Sequence, residues 1–178
     1  MFVFDNDFLL FYGLIIIHSN ITLDNTIYIE DLNSSINNWI IEYLKNNDIR
    51  FERIDNDTEN KIAIYYEDFI PAKKHLIYWI TLSKKSIIHP ILYKLTSIEF
   101  KYLLVGMILA NVNNFDKYTK KIYFYLNHFH ISSSRDLCNL FLKYNLKFYN
   151  IDFNYLILDS KDIKNFDNND SIIKRFIE

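Results

Sequence analysis

Few residues of this sequence are spaced for metal binding or covalent catalysis. His128 and His130 lie on one face of a predicted strand, which is the spacing of a ligand pair, but no third ligand accompanies them. The single cysteine, Cys138, excludes an internal disulfide and a cysteine zinc set, and its apolar neighbours favour a packing role. No serine, cysteine or lysine has the neighbours that activate a nucleophile. The sequence therefore predicts neither a metal site nor a cofactor.

Lysines are concentrated in the middle of the chain. Residues 1–69 hold 4 basic and 13 acidic residues, a net charge of −9, whereas residues 70–121 hold 9 basic and 2 acidic residues, a net charge of +7. Because cations that neutralise phosphates release counterions, this segment predicts a nucleic-acid-binding surface. A solvated lysine-rich face is the alternative. The predicted contact residues are Lys73, Lys74, Lys84, Lys85, Lys94, Lys117, Lys120 and Lys121, with Tyr93, Tyr118 and Tyr123 as stacking partners.

Two apolar stretches, residues 11–19 and 104–112, must position the rest of the chain. They contain the only two glycines, Gly13 and Gly106, at the same place in each stretch and 93 positions apart. Glycine inside a helix costs about 1 kcal/mol relative to alanine, so its presence needs a packing reason. The usual reason is close approach of another backbone. We predict that both stretches are helices and that they pack on each other.

The second stretch resembles the motif of the LAGLIDADG homing endonucleases and maturases. The 93-residue separation of the two stretches also resembles that of single-chain family members, and residues 88–96 and 126–146 are similar to the segments that flank the second motif helix. The matching letters are Leu104, Gly106, Ile108 and Ala110 in the second stretch and Gly13, Leu14 and Ile15 in the first.

The resemblance implies an α+β fold of two pseudo-symmetric αββαββα halves, packed through their LAGLIDADG-type helices, with two sheets on a common concave side. We expect one such domain over residues 1–178, with residues 1–94 as the first half and residues 95–178 as the second. No linker or low-complexity segment separates the halves.

Local signals predict where the elements begin. Pro71 suits the first position of the third helix. Residues 21–30 are predicted to form a hairpin between the first and second helices. In the second half, Thr96 and Glu99 form a capping box, residues 118–129 are predicted as strand, and residues 160–178 as a broken helix. The candidate N-caps are Asp5, Asn6 and Asp7 for the first helix, and Ser34 and Ser35 for the second.

The resemblance also implies where metal-binding acids should lie. In the family, the last acid of each motif helps to hold the divalent metals that cleave a phosphodiester, and these acids correspond to His18 and Asn111. An imidazole and an amide supply no negative charge for magnesium. We therefore expect that the chain is not an enzyme and that these two residues either cap their helices or form a bond across the junction between the two helices. The alternative is that Asp24 and Asp116 act as displaced acids.

These observations lead us to expect a non-catalytic RNA-binding structural protein of an organellar ribonucleoprotein, most specifically a mitochondrial ribosomal protein. Its partners would be ribosomal or other structured RNA and neighbouring ribosomal proteins. Abundant Ile, Asn, Lys, Tyr and Phe indicate an A+T-rich gene, which we expect to be organelle-encoded and mitochondrial. The alternatives are an intron maturase, a LAGLIDADG DNA endonuclease, and a protein-binding accessory subunit. The apolar runs are shorter than the roughly 20 residues of a membrane span, so none is expected.

Overall fold

The computed structural model repeats one order of elements along the chain. It describes residues 4–21, 26–30, 32–55, 60–83, 88–111, 115–116, 118, 121–125, 131–151 and 155–159. The first half contains helices α1 (Asn6–His18), α2 (Ser34–Asn46) and α3 (Pro71–Ser83) and strands β1 (Ser19–Ile21), β2 (Thr26–Glu30), β3 (Phe51–Asp55) and β4 (Asn60–Tyr65). The second half contains helices α4 (Ser97–Ala110) and α5 (Ile131–Lys143) and strands β5 (Phe115–Asp116), β6 (Lys121–Tyr125), β7 (Phe148–Ile151) and β8 (Tyr155–Asp159).

This order confirms the predicted α+β fold of two αββαββα halves, for the second half as far as β8. Short 3-10 turns, Tyr66–Asp68 and Pro90–Lys94, precede α3 and α4. The predicted helix over residues 160–178 lies outside the described residues. Among the described helices, none is long and apolar enough to cross a membrane.

Helices α1 and α4 pack against each other and are buried on all sides. Residues 8–16 of α1 and residues 103–110 of α4 are all buried. A helix that is apolar all round belongs in a core, because every face needs a covering neighbour. Part of the cover comes from α3 and from the turn after α5. The Tyr12 hydroxyl donates to the Leu76 carbonyl of α3 at 3.2 Å, and Phe100 stacks on Tyr144 with ring centroids 3.8 Å apart.

The two glycines lie where the backbones of α1 and α4 meet. A Cβ atom on Gly13 would collide with the Leu103 carbonyl oxygen and lie 2.9 Å from the Met107 nitrogen. A Cβ atom on Gly106 would collide with the Leu10 carbonyl oxygen. Because these neighbours are backbone atoms, no rotamer change can relieve either collision. Only glycine fits at both positions.

Each half contributes one four-stranded antiparallel sheet. The first sheet has the strand order β1-β2-β4-β3 and the second sheet has the order β5-β6-β8-β7. One face of each sheet packs on the helices, because alternate residues of the central strands belong to the hydrophobic core. These inward residues are Ile27, Ile29, Ile62 and Ile64 in the first sheet and Ile122, Phe124, Leu156 and Leu158 in the second.

Some local predictions fall on described residues, and the cap of α2 and the strand over residues 118–129 differ from what was predicted. Asp5 caps α1, since its Oδ1 accepts from the Phe8 N–H at 2.7 Å, and the Thr96–Glu99 capping box of α4 is present. The cap of α2 is Asn33 rather than Ser34 or Ser35, because the Asn33 side chain accepts from the Ile36 N–H at 2.9 Å. The strand predicted over residues 118–129 is shorter, because Tyr118 lies in a turn and β6 begins only at Lys121; residues 126–130 lie outside the described residues.

Replacing Gly13 with alanine is expected to destabilise the fold, although alanine is the better helix former by about 1 kcal/mol. Forcing a methyl group against backbone costs about 1–3 kcal/mol or more, which lowers the melting temperature of a chain of this size by about 2–10 °C. Thermal unfolding followed by circular dichroism measures this. The control is Asn38→Ala, at an exposed position inside α2, which should not lower the melting temperature. A Gly13→Ala variant as stable as the wild type would contradict the close contact.

Candidate nucleic-acid interface

The outer faces of the two sheets, which point away from the helices, offer matching rows of side chains. In the first sheet, Tyr28 of β2 pairs with Ala63 of β4, which pairs with Glu52 of β3. In the second sheet, Tyr123 of β6 pairs with Ile157 of β8, which in turn pairs with Tyr149 of β7. The central residues, Ala63 and Ile157, are each 3% exposed, yet neither belongs to the hydrophobic core between sheet and helices. The side chains beside them therefore form the accessible surface.

Two carboxylates, those of Asp68 and Glu52, accept hydrogen bonds from side chains of the first sheet and the residue before β3. The guanidinium of Arg50 holds Asp68 with two bonds, Nε to Oδ2 at 2.8 Å and an Nη atom to Oδ1 at 3.0 Å, and this pairing lowers the pKa of the Asp68 carboxyl. The Tyr65 hydroxyl donates to Glu52 at 2.8 Å, and that bond raises the pKa of the tyrosine. The cation of Arg50 also lies 5.2 Å from the centre of the Tyr65 ring.

The outer face of the second sheet combines an ammonium group with aromatic rings. The Lys121 ammonium lies 6.0 Å from the centre of the Tyr149 ring, within the range of a cation–π contact. Tyr149 is 60% exposed, and Tyr118, in the turn before β6, is 99% exposed. Exposed rings beside a cation suit stacked bases next to phosphates. The sequence indicates Tyr118 and Tyr123 but misses Tyr149, because its exposure depends on which strands pair with β7.

Helix α4 ends in a buried amide. Asn111 is 3% exposed, and its Nδ2 donates to the Met107 carbonyl of the preceding turn at 2.9 Å. Its backbone N–H donates to the Ile108 carbonyl at 2.9 Å. The side chain of Asn111 therefore closes the end of its own helix. His18 is the last residue of α1, and its side chain lies outside the described part of the structure.

Three solved structures illustrate the proteins to which this arrangement is similar. The homing endonuclease I-WcaI bound to its DNA recognition sequence has a TM-score of 0.59 and 17% identity, over 100% of this chain and 88% of that chain. I-DmoI in complex with DNA and Mn has a TM-score of 0.56 and 11% identity, over 97% of both chains. The N-terminal LAGLIDADG domain of DUF199/WhiA has a TM-score of 0.57 and 14% identity, over 93% of this chain and 83% of that chain.

The chain has the LAGLIDADG homing endonuclease fold. No family model and no curated protein matches the sequence. The fold corrects one expectation. We expected that the chain is not an enzyme, and this expectation is wrong, because the solved structures with this fold include DNA-bound homing endonucleases. That expectation depended on the ends of the two LAGLIDADG helices alone, and a changed side chain there leaves the scaffold of an enzyme family intact.

The described residues do not assemble a metal site at the ends of the LAGLIDADG helices. Among them, no group of three or more His, Cys, Asp or Glu could hold a metal ion. This finding does not include Asp24 and Asp116, the two acids proposed to replace the motif acids. Asp24 lies outside the described residues, and only the backbone of Asp116 is described, where it pairs with Lys121. His128 and His130 also lie outside.

Lys73, one of the predicted nucleic-acid contacts, is instead a buried lysine of the LAGLIDADG core. It is 8% exposed, and its ammonium pairs with Asp5 at 2.7 Å. The same group lies 3.4 Å from the Tyr43 hydroxyl and 5.1 Å from the centre of the Phe8 ring. Lys73 therefore joins three helices of the first half and does not contribute to an exposed lysine surface.

The three other predicted lysine contacts that the structure describes lie on different elements. Lys74 donates to the Glu67 carbonyl at 3.0 Å, beside α3, whereas Lys94 is exposed before α4 and Lys121 lies on the outer face of the second sheet. Tyr93 is half-buried and donates its hydroxyl to the Asp136 carbonyl at 2.7 Å, which removes it from the candidate stacking residues. Four predicted contacts lie outside the described residues: Lys84, Lys85, Lys117 and Lys120.

Restoring an acid at the end of the second LAGLIDADG helix, with Asn111→Asp, is expected to destabilise the protein at neutral pH. The new carboxylate cannot donate to the Met107 carbonyl, and an unpaired buried polar group costs about 1–3 kcal/mol. Burial beside a carbonyl oxygen raises the folded-state pKa of a carboxyl above its unfolded value. The variant should therefore be closest to the wild type at acid pH and lose stability as the pH rises. Urea unfolding at several pH values measures this.

The matched control for that change is Asn47→Asp. Asn47 ends α2, and its Nδ2 also donates to a carbonyl four residues earlier, that of Tyr43, at 2.9 Å. It is exposed, and its Oδ1 already lies 3.4 Å from the Lys73 ammonium, which would compensate a negative charge. We expect little loss of stability at neutral pH. Equal losses for both variants would show that burial of Asn111 is not the cause.

Replacing Lys73 with methionine is expected to lower the stability of the fold by about 1–3 kcal/mol, because Asp5 loses a charged partner and two rings lose a cation. Nucleic-acid affinity should not change, since the ammonium is buried. Urea unfolding and a binding titration measure the two effects. Lys94→Met is the control, because Lys94 is exposed and its loss should leave stability within about 0.5 kcal/mol. A Lys73→Met variant that keeps its stability would contradict the structural role.

Proposed function

We propose that this chain is a nucleic-acid-binding protein that holds a double-stranded segment against the outer faces of its sheets. The observation that carries this proposal is the pair of antiparallel sheets, each with one face in the core and one face of polar and aromatic side chains, in a fold shared with proteins solved in complex with DNA. Similarity of fold gives the scaffold, and the side chains on the outer faces supply the chemistry of binding.

The charge and ring content of the second sheet support this proposal. Lys121 supplies a cation for phosphate, and beside it Tyr149 presents an exposed ring whose hydroxyl can contact the sugar–phosphate backbone of a duplex. Within the sequence, the four residues that join β5 to β6 are Lys117, Tyr118, Thr119 and Lys120, which add two cations and a further ring. Proteins that hold a duplex through its backbone use both lysine cations and tyrosine hydroxyls as phosphate contacts.

The ligand that we favour is structured RNA of a mitochondrial ribonucleoprotein, specifically the mitochondrial ribosome. Sixteen lysines against four arginines favour backbone contacts over base reading, because bidentate recognition of guanine needs arginine. RNA duplexes are recognised mainly by shape and by phosphate and 2′-hydroxyl contacts. The abundance of residues with A+T-rich codons supports an organelle-encoded gene. Neighbouring ribosomal proteins would then contact the remaining surface.

A magnesium-dependent DNA endonuclease, or the related intron maturase, is the second candidate. It is favoured by the fold, which this chain shares with I-WcaI bound to its DNA recognition sequence and with I-DmoI in complex with DNA and Mn. The carboxylates available for this reaction are Asp24 and Asp116, which follow His18 and Asn111 by six and five residues in the sequence. They would have to supply the negative charge that gathers divalent ions.

Binding to nucleic acid is expected to be tight at low salt and to weaken steeply as salt rises. Fluorescence anisotropy with a mixed-sequence duplex of about 30 base pairs, as DNA and as RNA, should show an affinity loss of about tenfold or more between roughly 50 and 200 mM salt. An absence of binding to both probes would refute the proposal and leave a protein-binding subunit. Salt-independent association with protein alone would also indicate a protein-binding subunit.

Two further measurements distinguish binding of ribosomal RNA from the maturase and endonuclease functions. Crosslinking in organelle extract followed by sequencing should give reads concentrated in one patch of ribosomal RNA, whereas reads in introns would favour the maturase. Cleavage of a randomised DNA library with magnesium, abolished in Asp116→Asn, would establish the endonuclease. A wild-type protein that leaves the whole library uncut, while it binds RNA in the same buffer, would reject that second candidate.

A further inference from the structure

We propose that His89 is a proton-sensitive latch, which holds the turn before α4 while its imidazole is neutral and releases that turn when the imidazole takes up a proton. His89 directly precedes the 3-10 turn Pro90–Lys94, through which the chain passes from α3 to α4. The latch is one hydrogen bond, which the Ile91 N–H donates to Nδ1 of His89 at 3.1 Å. This inference uses none of the surfaces assigned to nucleic acid, so it does not depend on the proposed function.

The hydrogen bond between Ile91 and His89 requires one protonation state of the imidazole. A ring nitrogen accepts a hydrogen bond through a lone pair, so Nδ1 carries no proton and the proton of the neutral ring is on Nε2. In the protonated ring both nitrogens are donors, and an Nδ1–H group would face the Ile91 N–H. Rotating the ring by half a turn brings a carbon atom to the same place and offers no acceptor. Uptake of a proton therefore breaks the bond in both orientations of the ring.

The surroundings of His89 favour the neutral imidazole. His89 is half-buried, with the ring of His75 5.2 Å away and the ring of Trp79 4.7 Å away, both nearly perpendicular to its own ring. Burial lowers the pKa of His89 below its usual value of about 6.5, because it penalises the charged form, and the charge of His75 lowers this pKa further. Among the described residues, no carboxylate offsets these two effects.

The end of the turn nearer α4 is anchored by bonds that do not titrate near neutral pH. The Tyr144 hydroxyl donates to the Leu92 carbonyl at 3.0 Å and to the Leu95 carbonyl at 2.7 Å. The Tyr93 hydroxyl donates to the Asp136 carbonyl at 2.7 Å. Burial raises the pKa of both tyrosines above its usual value, so their hydroxyls keep their protons. Loss of the bond at His89 therefore frees the start of the turn and leaves its end in place.

The direction of the pH effect follows from the lowered pKa of His89. Because the folded state binds this proton less readily than the unfolded chain, the bond contributes its full stability above the unfolded pKa of about 6.5. That contribution is lost as the pH falls through the folded-state pKa. The turn is thus held at neutral pH and released in acid, by a local opening that leaves the core folded.

The test follows the protection of the Ile91 amide against hydrogen exchange, measured by NMR at several pH values between about 4.5 and 8. After correction for the intrinsic exchange rate, protection in the wild type should fall about two- to tenfold on acidification, which corresponds to the loss of one hydrogen bond. The Ile36 amide, which donates to the Asn33 side chain at 2.9 Å, is the control within the same chain. Its protection should not fall, because an amide oxygen does not titrate.

Three variants distinguish the latch from other effects of acid. His89→Asn places an oxygen where Nδ1 lies, and this oxygen accepts from the Ile91 N–H without titrating, so protection should persist in acid. His75→Gln removes the charge that opposes protonation of His89 and should move the loss of protection to higher pH. His89→Ala should leave the Ile91 amide poorly protected at every pH. Thermal melting at neutral pH verifies that each variant is folded.

The comparison of the wild type with His89→Asn decides the proposal even where His89→Ala does not fold. Protection of Ile91 that does not change with pH in the wild type would overturn it. An equal loss in the wild type and in His89→Asn would also overturn it, because the titrating group would then be another one. A simultaneous loss at Ile91 and Ile36 would show unfolding of the whole chain and would contradict a local latch.

Discussion

The direct contact between the backbones of α1 and α4 is the constraint on which the rest of the structure depends. Because Gly13 and Gly106 place carbonyl oxygens of the partner helix where side chains would otherwise lie, neither helix has a solvent side at the crossing. Every other face must then be covered, and residues 8–16 and 103–110 are buried accordingly. Each half supplies that cover with one sheet and its flanking helices. The two sheets therefore take equivalent places because the helix pair holds both halves in one arrangement.

The same helix pair determines what a side chain at its ends can do. His18 and Asn111 both follow their glycines by five residues, so they occupy equivalent positions in the two helices. At the end of α4 this position is buried. The amide of Asn111 can be buried there because one of its Nδ2–H groups donates to the Met107 carbonyl. A carboxylate at this place needs an external cation to offset its burial. The choice between amide and acid here is thus a choice between helix capping and ion binding.

Sequence predicts the organising parts of this fold because they depend on rare residues and on periodic patterns. Two glycines in apolar stretches predict the helix pair, and the capping box at Thr96 and Glu99 marks the start of α4. The cap of α2 was predicted at Ser34 or Ser35 and is Asn33, since the three residues are consecutive and each can accept from a backbone N–H. The burial of Lys73 depends on Asp5, a residue from a different helix start, and no local pattern records that contact. Surface roles therefore follow from tertiary pairing, which composition does not reveal.

The pairing of the strands explains how charge can be segregated along the chain. Residues 1–69 hold 13 acids, and several of these lie on or near the outer face of the first sheet, where alternate positions are free of packing constraints. Because the inward residues of both sheets stay apolar, the fold tolerates any chemistry on the outward ones. Two halves with one backbone plan can then carry different side chains at equivalent outward positions, as Glu52 and Tyr149 do. The pseudo-symmetry of the scaffold thus constrains how the helices and sheets pack, and it leaves each half able to meet a different partner.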